Sequence, residues 1–222
     1  MSMKEPAQVP RIETRWPVAA TILAVLFLLV VLPGRIRIYP TWFSYVAVII
    51  VLVPMAAVRL TGEKARWLRV ERTIMLLFLA FVGAGNLGGL GYLIERMVRR
   101  SAEIGGLQLL TSSTAAWVLN VLTFSLLYWQ IDRGGPEARV NNRGARPDWL
   151  FPQTGAGEDV PPDWCPTFVD YLFLGFSTAT AFSPTDALPL TSRAKMMMML
   201  ESAISLATIV VVASRAINIL GG

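Results

Sequence analysis

Five stretches of this chain, residues 16–32, 42–60, 73–98, 110–129 and 194–220, are long unbroken runs of apolar side chains. A helix needs about 20 mostly apolar residues to cross the hydrocarbon of a bilayer. The apolar residues lie in blocks rather than at amphipathic spacing, so they mark an integral membrane protein. Composition agrees: of 222 residues 54% are hydrophobic and 16% charged, against about 25% charged in ordinary soluble domains. A soluble globular domain, a disordered chain and a disulfide scaffold are excluded. There is no histidine and a single cysteine, Cys165. That removes a Cys/His zinc site, a Ser-His-Asp triad and any intrachain disulfide. No cofactor is expected. Nothing places a nucleophile beside a base, so an enzyme is not expected either. The net charge of +5 bears on orientation in the membrane rather than on nucleic acid, which is not an expected partner.

The first block follows Lys4, Arg11 and Arg15 as a signal peptide would, but no small-x-small cleavage site follows, and it reads as an uncleaved span. Trp16, Trp42, Tyr128 and Trp129 stand at block ends, where amphipathic rings favour the headgroup layer. A sixth apolar stretch, 168–181, is too short to cross. Pro161, Pro162 and Pro166 precede it, and Ser183-Pro184-Thr185-Asp186 follows. Irregular polar backbone survives at membrane depth only inside protein or beside water. This stretch therefore reads as a half-helix that dips in and returns, with a surface helix on a loop as the alternative. The expected architecture is an all-α integral membrane protein with five transmembrane helices, one re-entrant half-helix and a pore-like loop. It divides into a four-helix membrane region (1–131), an extramembrane loop (132–165) and a terminal unit (166–222). The loop is basic in its first half (Arg133, Arg139, Arg143, Arg146) and acidic in its second (Asp148, Glu158, Asp159, Asp163).

The terminal unit reads as a short helix, then Ser177-Thr178-Ala179-Thr180-Ala181-Phe182-Ser183-Pro184-Thr185-Asp186, then Leu190-Thr191 and a long helix. This order resembles the pore loop and inner helix of the tetrameric potassium-channel superfamily. There the half-helix ends in Thr-x-Thr-Thr-Val-Gly-Tyr-Gly-Asp. Thr178, Ala179, Thr180 and Asp186 fall on matching positions, as Pro189 and Thr191 do approximately. The resemblance covers about fifty residues. It implies a homotetramer around a central cation path, with monovalent cations as the permeant class. The four preceding blocks carry no voltage-sensor series of arginines. The filter positions Ala181, Phe182, Ser183, Pro184 and Thr185 hold no glycine. Potassium filters use glycine to turn backbone carbonyls toward the ion, and Pro184 fixes its own φ and biases Ser183 to extended geometry. Potassium selectivity is therefore not carried over. A ring of Asp186 carboxylates with Ser183 and Thr185 hydroxyls beneath is the expected replacement, with Glu158, Asp159 and Asp163 as an acidic vestibule. Alternatively Asp186 caps a turn after Pro184, and Phe182 plugs the path.

Glu201 and Arg215 are ionisable residues well inside a predicted span, and such charges default to a functional reading. They are about 21 Å apart along one helix and cannot pair. Glu201 and Ser205, on one face, are cavity candidates; pairing of Glu201 with another helix is the alternative. Arg215 snorkels. Met196–Met199 point all round the helix and read as packing rather than a copper site. In the third block, Gly85 and Gly89 permit close helix approach, with a glycine-broken transporter helix as the sharper alternative. Asn86 and Asn120 are expected to hydrogen-bond across helices.

Arg59, Lys64, Arg66, Arg69 and Arg72 put the loop before the third block in the cytoplasm by the positive-inside rule. Counting spans, the 132–165 loop lies there too, and that side then holds 14 of the 20 basic residues. The pore loop would enter from the cytoplasm, the reverse of potassium channels but as in ionotropic glutamate receptors. The expectation is a multi-pass protein of the cell membrane: a weakly selective cation pathway, a non-conducting channel-derived scaffold or regulatory subunit, or a small-solute transporter.

Overall fold

A computed structural model describes residues 16–31, 46, 49–50, 53, 64–99, 106–141, 145–156, 159–161, 164–181 and 186–220. The described chain is mostly helical. The helices are α1 (Trp16–Val31), α2 (Lys64–Arg99), α3 (Gly106–Ile131), α4 (Pro136–Asn141), α5 (Phe168–Ala181) and α6 (Ser192–Leu220). Two short strands, β1 (Trp149–Leu150) and β2 (Leu188–Pro189), pair antiparallel. Three stretches are long and apolar enough to cross a membrane: Trp67–Tyr92, Leu110–Gly134 and Ser192–Ala213. The apolar α1 is 16 residues long. The block expected at 42–60 lies almost wholly outside the described residues; Val46, Ile49, Ile50 and Val53 are helical and exposed.

Side-chain contacts fix the directions of α2, α5 and α6 against α3. Asn86 on α2 donates to the Ala116 carbonyl on α3 (3.4 Å), while Arg72 comes beside Gly135 just past the end of α3. The two helices are therefore antiparallel. On α6, Glu201 meets Tyr128 and Ser205 meets Asn120, so α6 also runs against α3. On α5, Tyr171 meets Asp132 and Phe176 stacks edge-on to Trp117, so α5 runs against α3 as well. It follows that α2, α5 and α6 all start at the end where α3 finishes.

That end is built by local backbone chemistry. Arg133, Gly134 and Gly135 take successive positive φ values of 53°, 85° and 106°, which reverses the chain and releases it into α4. Only glycine adopts such angles without penalty; a residue with a Cβ loses about 1–2 kcal/mol there. The connector then passes through Trp149, buried between Tyr128 (ring centroids 4.8 Å) and Met198, whose sulfur accepts its Nε1–H at 3.3 Å. Phe151 packs edge-on to Tyr171 and Trp164. An aromatic layer thus closes this end of the helices. Each of the two helices of the terminal unit has a built cap. Before α5, Thr167 donates from both N–H and Oγ1 to Asp170 Oδ2 (2.7 and 2.9 Å), and before α6 the Thr191 hydroxyl receives the Ala194 N–H (3.2 Å). Such caps satisfy the first-turn donors that a helix leaves open.

α2 is continuous through Gly83, Gly85, Gly88, Gly89 and Gly91. The glycine-broken helix envisaged for a transporter is not present. Nothing lies within 4 Å of where a side chain would sit at Gly83 or Gly91.

Candidate functional site

The terminal unit has an outer polar lock at the connector end and an inner polar seam among α3, α5 and α6. In the lock, Asp132 and Asp148 are fully buried. Asp132 Oδ1 accepts the Asp148 N–H at 2.7 Å, and Asp132 Oδ2 accepts the Tyr171 hydroxyl at 2.5 Å. Asp148 holds Arg193 in a two-pronged pair, Nε to Oδ1 at 2.6 Å and an Nη to Oδ2, and its Oδ1 also accepts the Thr191 hydroxyl at 2.6 Å. Planar guanidinium–carboxylate pairs of this kind fix direction as well as distance. Arg139, also fully buried, donates to the Trp129 carbonyl at 3.0 Å and lies 4.8 Å over the Tyr171 ring. One buried carboxylate pair therefore ties the end of α3, the connector, the start of α5 and the start of α6.

In the seam, Asn120 Nδ2 donates to Ser205 Oγ (3.0 Å) and to the Glu201 main-chain carbonyl (3.1 Å). The Tyr128 hydroxyl donates to Glu201 Oε2. Glu201 and Ser205 have no exposed surface. Within the chain both residues pair with α3, the alternative to the cavity-lining role expected from the helix face they share. They are consumed by pairing with α3, because Asn120 and Tyr128 sit opposite them. Among the described residues, Glu201 Oε1 and Asn120 Oδ1 are buried with no hydrogen-bond partner. α5 presses onto this seam through Gly175: a Cβ there would sit 2.4 Å from Ser125 Oγ and 3.3 Å from both Glu201 Oε1 and the Val121 carbonyl.

The filter-like positions divide. Thr178 is buried, its hydroxyl donating back to the Leu174 carbonyl (2.8 Å), while its own carbonyl accepts from Ser202 Oγ (3.2 Å). Thr180 is exposed and donates back to the Phe176 carbonyl (2.7 Å). Ala181 is exposed. Phe182, Ser183, Pro184 and Thr185 lie outside the described residues. Asp186 is exposed and makes no hydrogen bond or ion pair with any described residue. Asp159 is exposed; Glu158 and Asp163 lie outside the described residues, as does the side chain of Arg215. Met198 is buried, whereas Met196 and Met199 are exposed, so the methionines do point round the helix. Among the described residues no three His, Cys, Asp or Glu side chains converge.

Asn86 and Asn120 bond across helices as their placement in apolar spans predicts. Asp132, Arg139, Asp148, Tyr171, Arg193 and Tyr128 carry the lock and the seam without having been singled out for them. Tyr128 and Trp129, expected at the headgroup layer from their place at a block end, are instead buried, because the connector and its Trp149 fold over that end of α3.

No protein family, no characterised protein and no solved structure matches this chain.

Proposed function

We propose that α5, the segment after it and α6 form a re-entrant pore-loop unit of the potassium-channel type, in a five-span protein of the cell membrane. Four copies would surround a cation pathway of low or unusual selectivity. The observation that carries this reading is the relation of α5 to α6. Both start at the connector end, and α5 stops beside Ser202, about 15 Å down the α6 axis at helical rise. By Leu188 the chain is back at the connector end, paired with Leu150. A short helix that goes in, and a chain that comes back on the same side, is the backbone course of a pore loop.

The carbonyl end of α5 at that depth needs protein or water around it. A stripe of Val169, Phe173, Phe176 and Thr180 on α5 is exposed, and so is Met196–Met199–Leu206–Val210 on α6. Neighbouring copies would cover part of these faces and leave the loop facing a shared wet axis. Asp186, exposed at the connector side, would then form a carboxylate ring at the mouth and favour cations. The connector end also gathers Arg69, Arg72, Arg133, Arg146, Arg193 and Lys195, which supports a cytoplasmic mouth by the positive-inside rule.

A second reading, a non-conducting scaffold derived from such a unit, is favoured by one observation. The polar residues of α6 nearest the expected cavity, Glu201 and Ser205, are used up inside the subunit, and Phe182 and Pro184 stand where filter glycines would be. Cation flux into liposomes, with native mass of the intact complex, separates the two. A tetramer whose flux falls on D186N supports the pathway. A tetramer with no flux that gains conductance on F182G supports the scaffold, and a monomer or dimer excludes a central pore.

A further inference from the structure

The side of α3 that meets α5 and α6 is polar along much of its length, but only half of it is satisfied. Toward the connector every such group is paired. Ser125 donates to the Val121 carbonyl (2.7 Å), Tyr128 donates to Glu201 Oε2, and Asp132 accepts from Tyr171 and from the Asp148 N–H. α5 covers this half and comes closest at Gly175. Away from the connector the pairing stops. Ser113, Trp117 and Asn120 follow at the i, i+4, i+7 spacing of one helix face. Trp117 meets Phe176 of α5 and Asn120 meets Ser205 of α6. Yet Ser113 Oγ, Trp117 Nε1 and Asn120 Oδ1 are buried with no hydrogen-bond partner among the described residues. The row ends at Glu201. Asn120 holds its main-chain carbonyl and Tyr128 its Oε2, while its Oε1 is the fourth buried atom left unpaired.

Buried polar atoms are nearly always hydrogen-bonded, and ordered water supplies the bond where protein does not. The three α3 residues are about 6 and 4.5 Å apart along the axis, a gap that one water spans with two hydrogen bonds of about 2.8 Å. Trp117 donates, Asn120 Oδ1 accepts and Ser113 does either, so water can follow the row. At its end Glu201 is fully buried and forms no ion pair with any described residue. An unpaired buried carboxylate is among the costliest states of a protein interior. A proton on Oε1 removes that charge and gives the nearest water a donor. We propose that Glu201 is a proton-binding carboxyl, reached by water along Ser113, Trp117 and Asn120 from the end of the helices opposite the connector. On the connector side α5 and the aromatic layer of Trp149, Phe151 and Phe168 shut it off. The groups around its carboxyl are Val121, Ser125 and Tyr128 from α3 and Gly175 from α5, of which Tyr128 is titratable. The inlet lies within one chain and does not rest on a fourfold assembly.

The test uses the full chain in proteoliposomes. Dicyclohexylcarbodiimide, an apolar reagent, adds to a carboxyl that carries a proton. The proton goes to a carbodiimide nitrogen, the carboxyl oxygen bonds the central carbon, and rearrangement leaves a stable N-acylurea. The adduct should map to Glu201 and be absent from E201Q. Labelling of the exposed Asp159 or Asp186 with none at Glu201 overturns the proposal. Protection of Glu201 by sodium ions at constant pH also overturns it, since the occupant is then a metal cation. Water access is read in a Cys165→Ser background with Ser113→Cys and Ser125→Cys, near-isosteric changes at two buried serines. A small hydrophilic methanethiosulfonate should modify Ser113→Cys roughly tenfold faster than Ser125→Cys, because like thiols react according to access. Thr178→Cys, also at a buried position, is the dry control if Ser125→Cys lowers the thermal midpoint. Ser113→Cys as inert as the control overturns the inlet, and a control as reactive as Ser113→Cys overturns its one-sidedness.

Discussion

The hydroxyl of Tyr128 donates to Glu201 across 73 residues of sequence, and both side chains are fully buried. The carboxyl of α6 thereby has a fixed address on α3, one helical turn from where Asn120 grips the same helix. Buried polar groups of this kind contribute little while paired and cost much when one partner is removed. Tyr128→Phe should lower stability in detergent by about 1–3 kcal/mol, read as a drop in thermal midpoint. Glu201→Gln, which keeps an acceptor for the same hydroxyl, should cost less. Equal losses would mean that the hydroxyl is not what holds the pair.

Gly175 marks the closest approach of α5 to the seam. Gly175→Ala should destabilise the protein by about 1–3 kcal/mol, the usual range for overpacking a tight core. Since the nearest atom is the Ser125 hydroxyl at 2.4 Å, the double variant Gly175→Ala/Ser125→Ala should recover part of that loss. A strictly additive double variant would place the crowding on the Val121 backbone instead.

Asp148 is the shared acceptor of Thr191 and Arg193. Asp148→Asn should release the start of α6 from the connector. Hydrogen exchange reads this at the Leu190 amide, which bonds the Asp148 carbonyl at 2.8 Å. Exchange there should accelerate by roughly tenfold or more, as expected for loss of about 1.4 kcal/mol of local protection. Amides near Val121 in the middle of α3 should be unaffected.

Orientation can be read directly. In a Cys165→Ser background, a cysteine placed at the exposed Asp159 should resist an impermeant thiol reagent added to intact cells and react once the cells are permeabilised. Labelling of intact cells would put the connector outside and the proposed mouth on the opposite face.

For the proposed pathway, Asp186→Asn should at least halve cation flux into liposomes at low ionic strength, with a smaller effect at high salt, because a surface carboxylate ring acts through a screened field. Unchanged flux would remove the ring from the mechanism.

The helix boundaries were legible where chemistry is local. The span 168–181 is α5 residue for residue, because Pro166 and the Thr167–Asp170 cap start it. The third block begins nine residues earlier as a helix, at Lys64, and the fifth two residues earlier, at Ser192, since polar first turns carry no apolar signal. The lock was not legible. Asp132, Arg139 and Asp148 sit in a polar, proline-rich stretch that looks like an ordinary solvated loop, and burying them needs the aromatic layer of Trp149, Phe151 and Phe168 folded over them. Glu201 was legible as unusual, but its partner was not, because helix periodicity gives a face and not the identity of the neighbour.

The pairing of Trp149–Leu150 with Leu188–Pro189 means that the stretch leading into α6 is set like a vernier. Strand pairing advances by about 3.3 Å per residue and turns each side chain over with every step. A single-residue insertion or deletion near residue 148 would therefore shift that pairing by one such step, and would pull at once on the Thr191 and Arg193 contacts by which Asp148 holds the start of α6. The connector thus sets two things with one residue: the register of the strand pair and the start of α6.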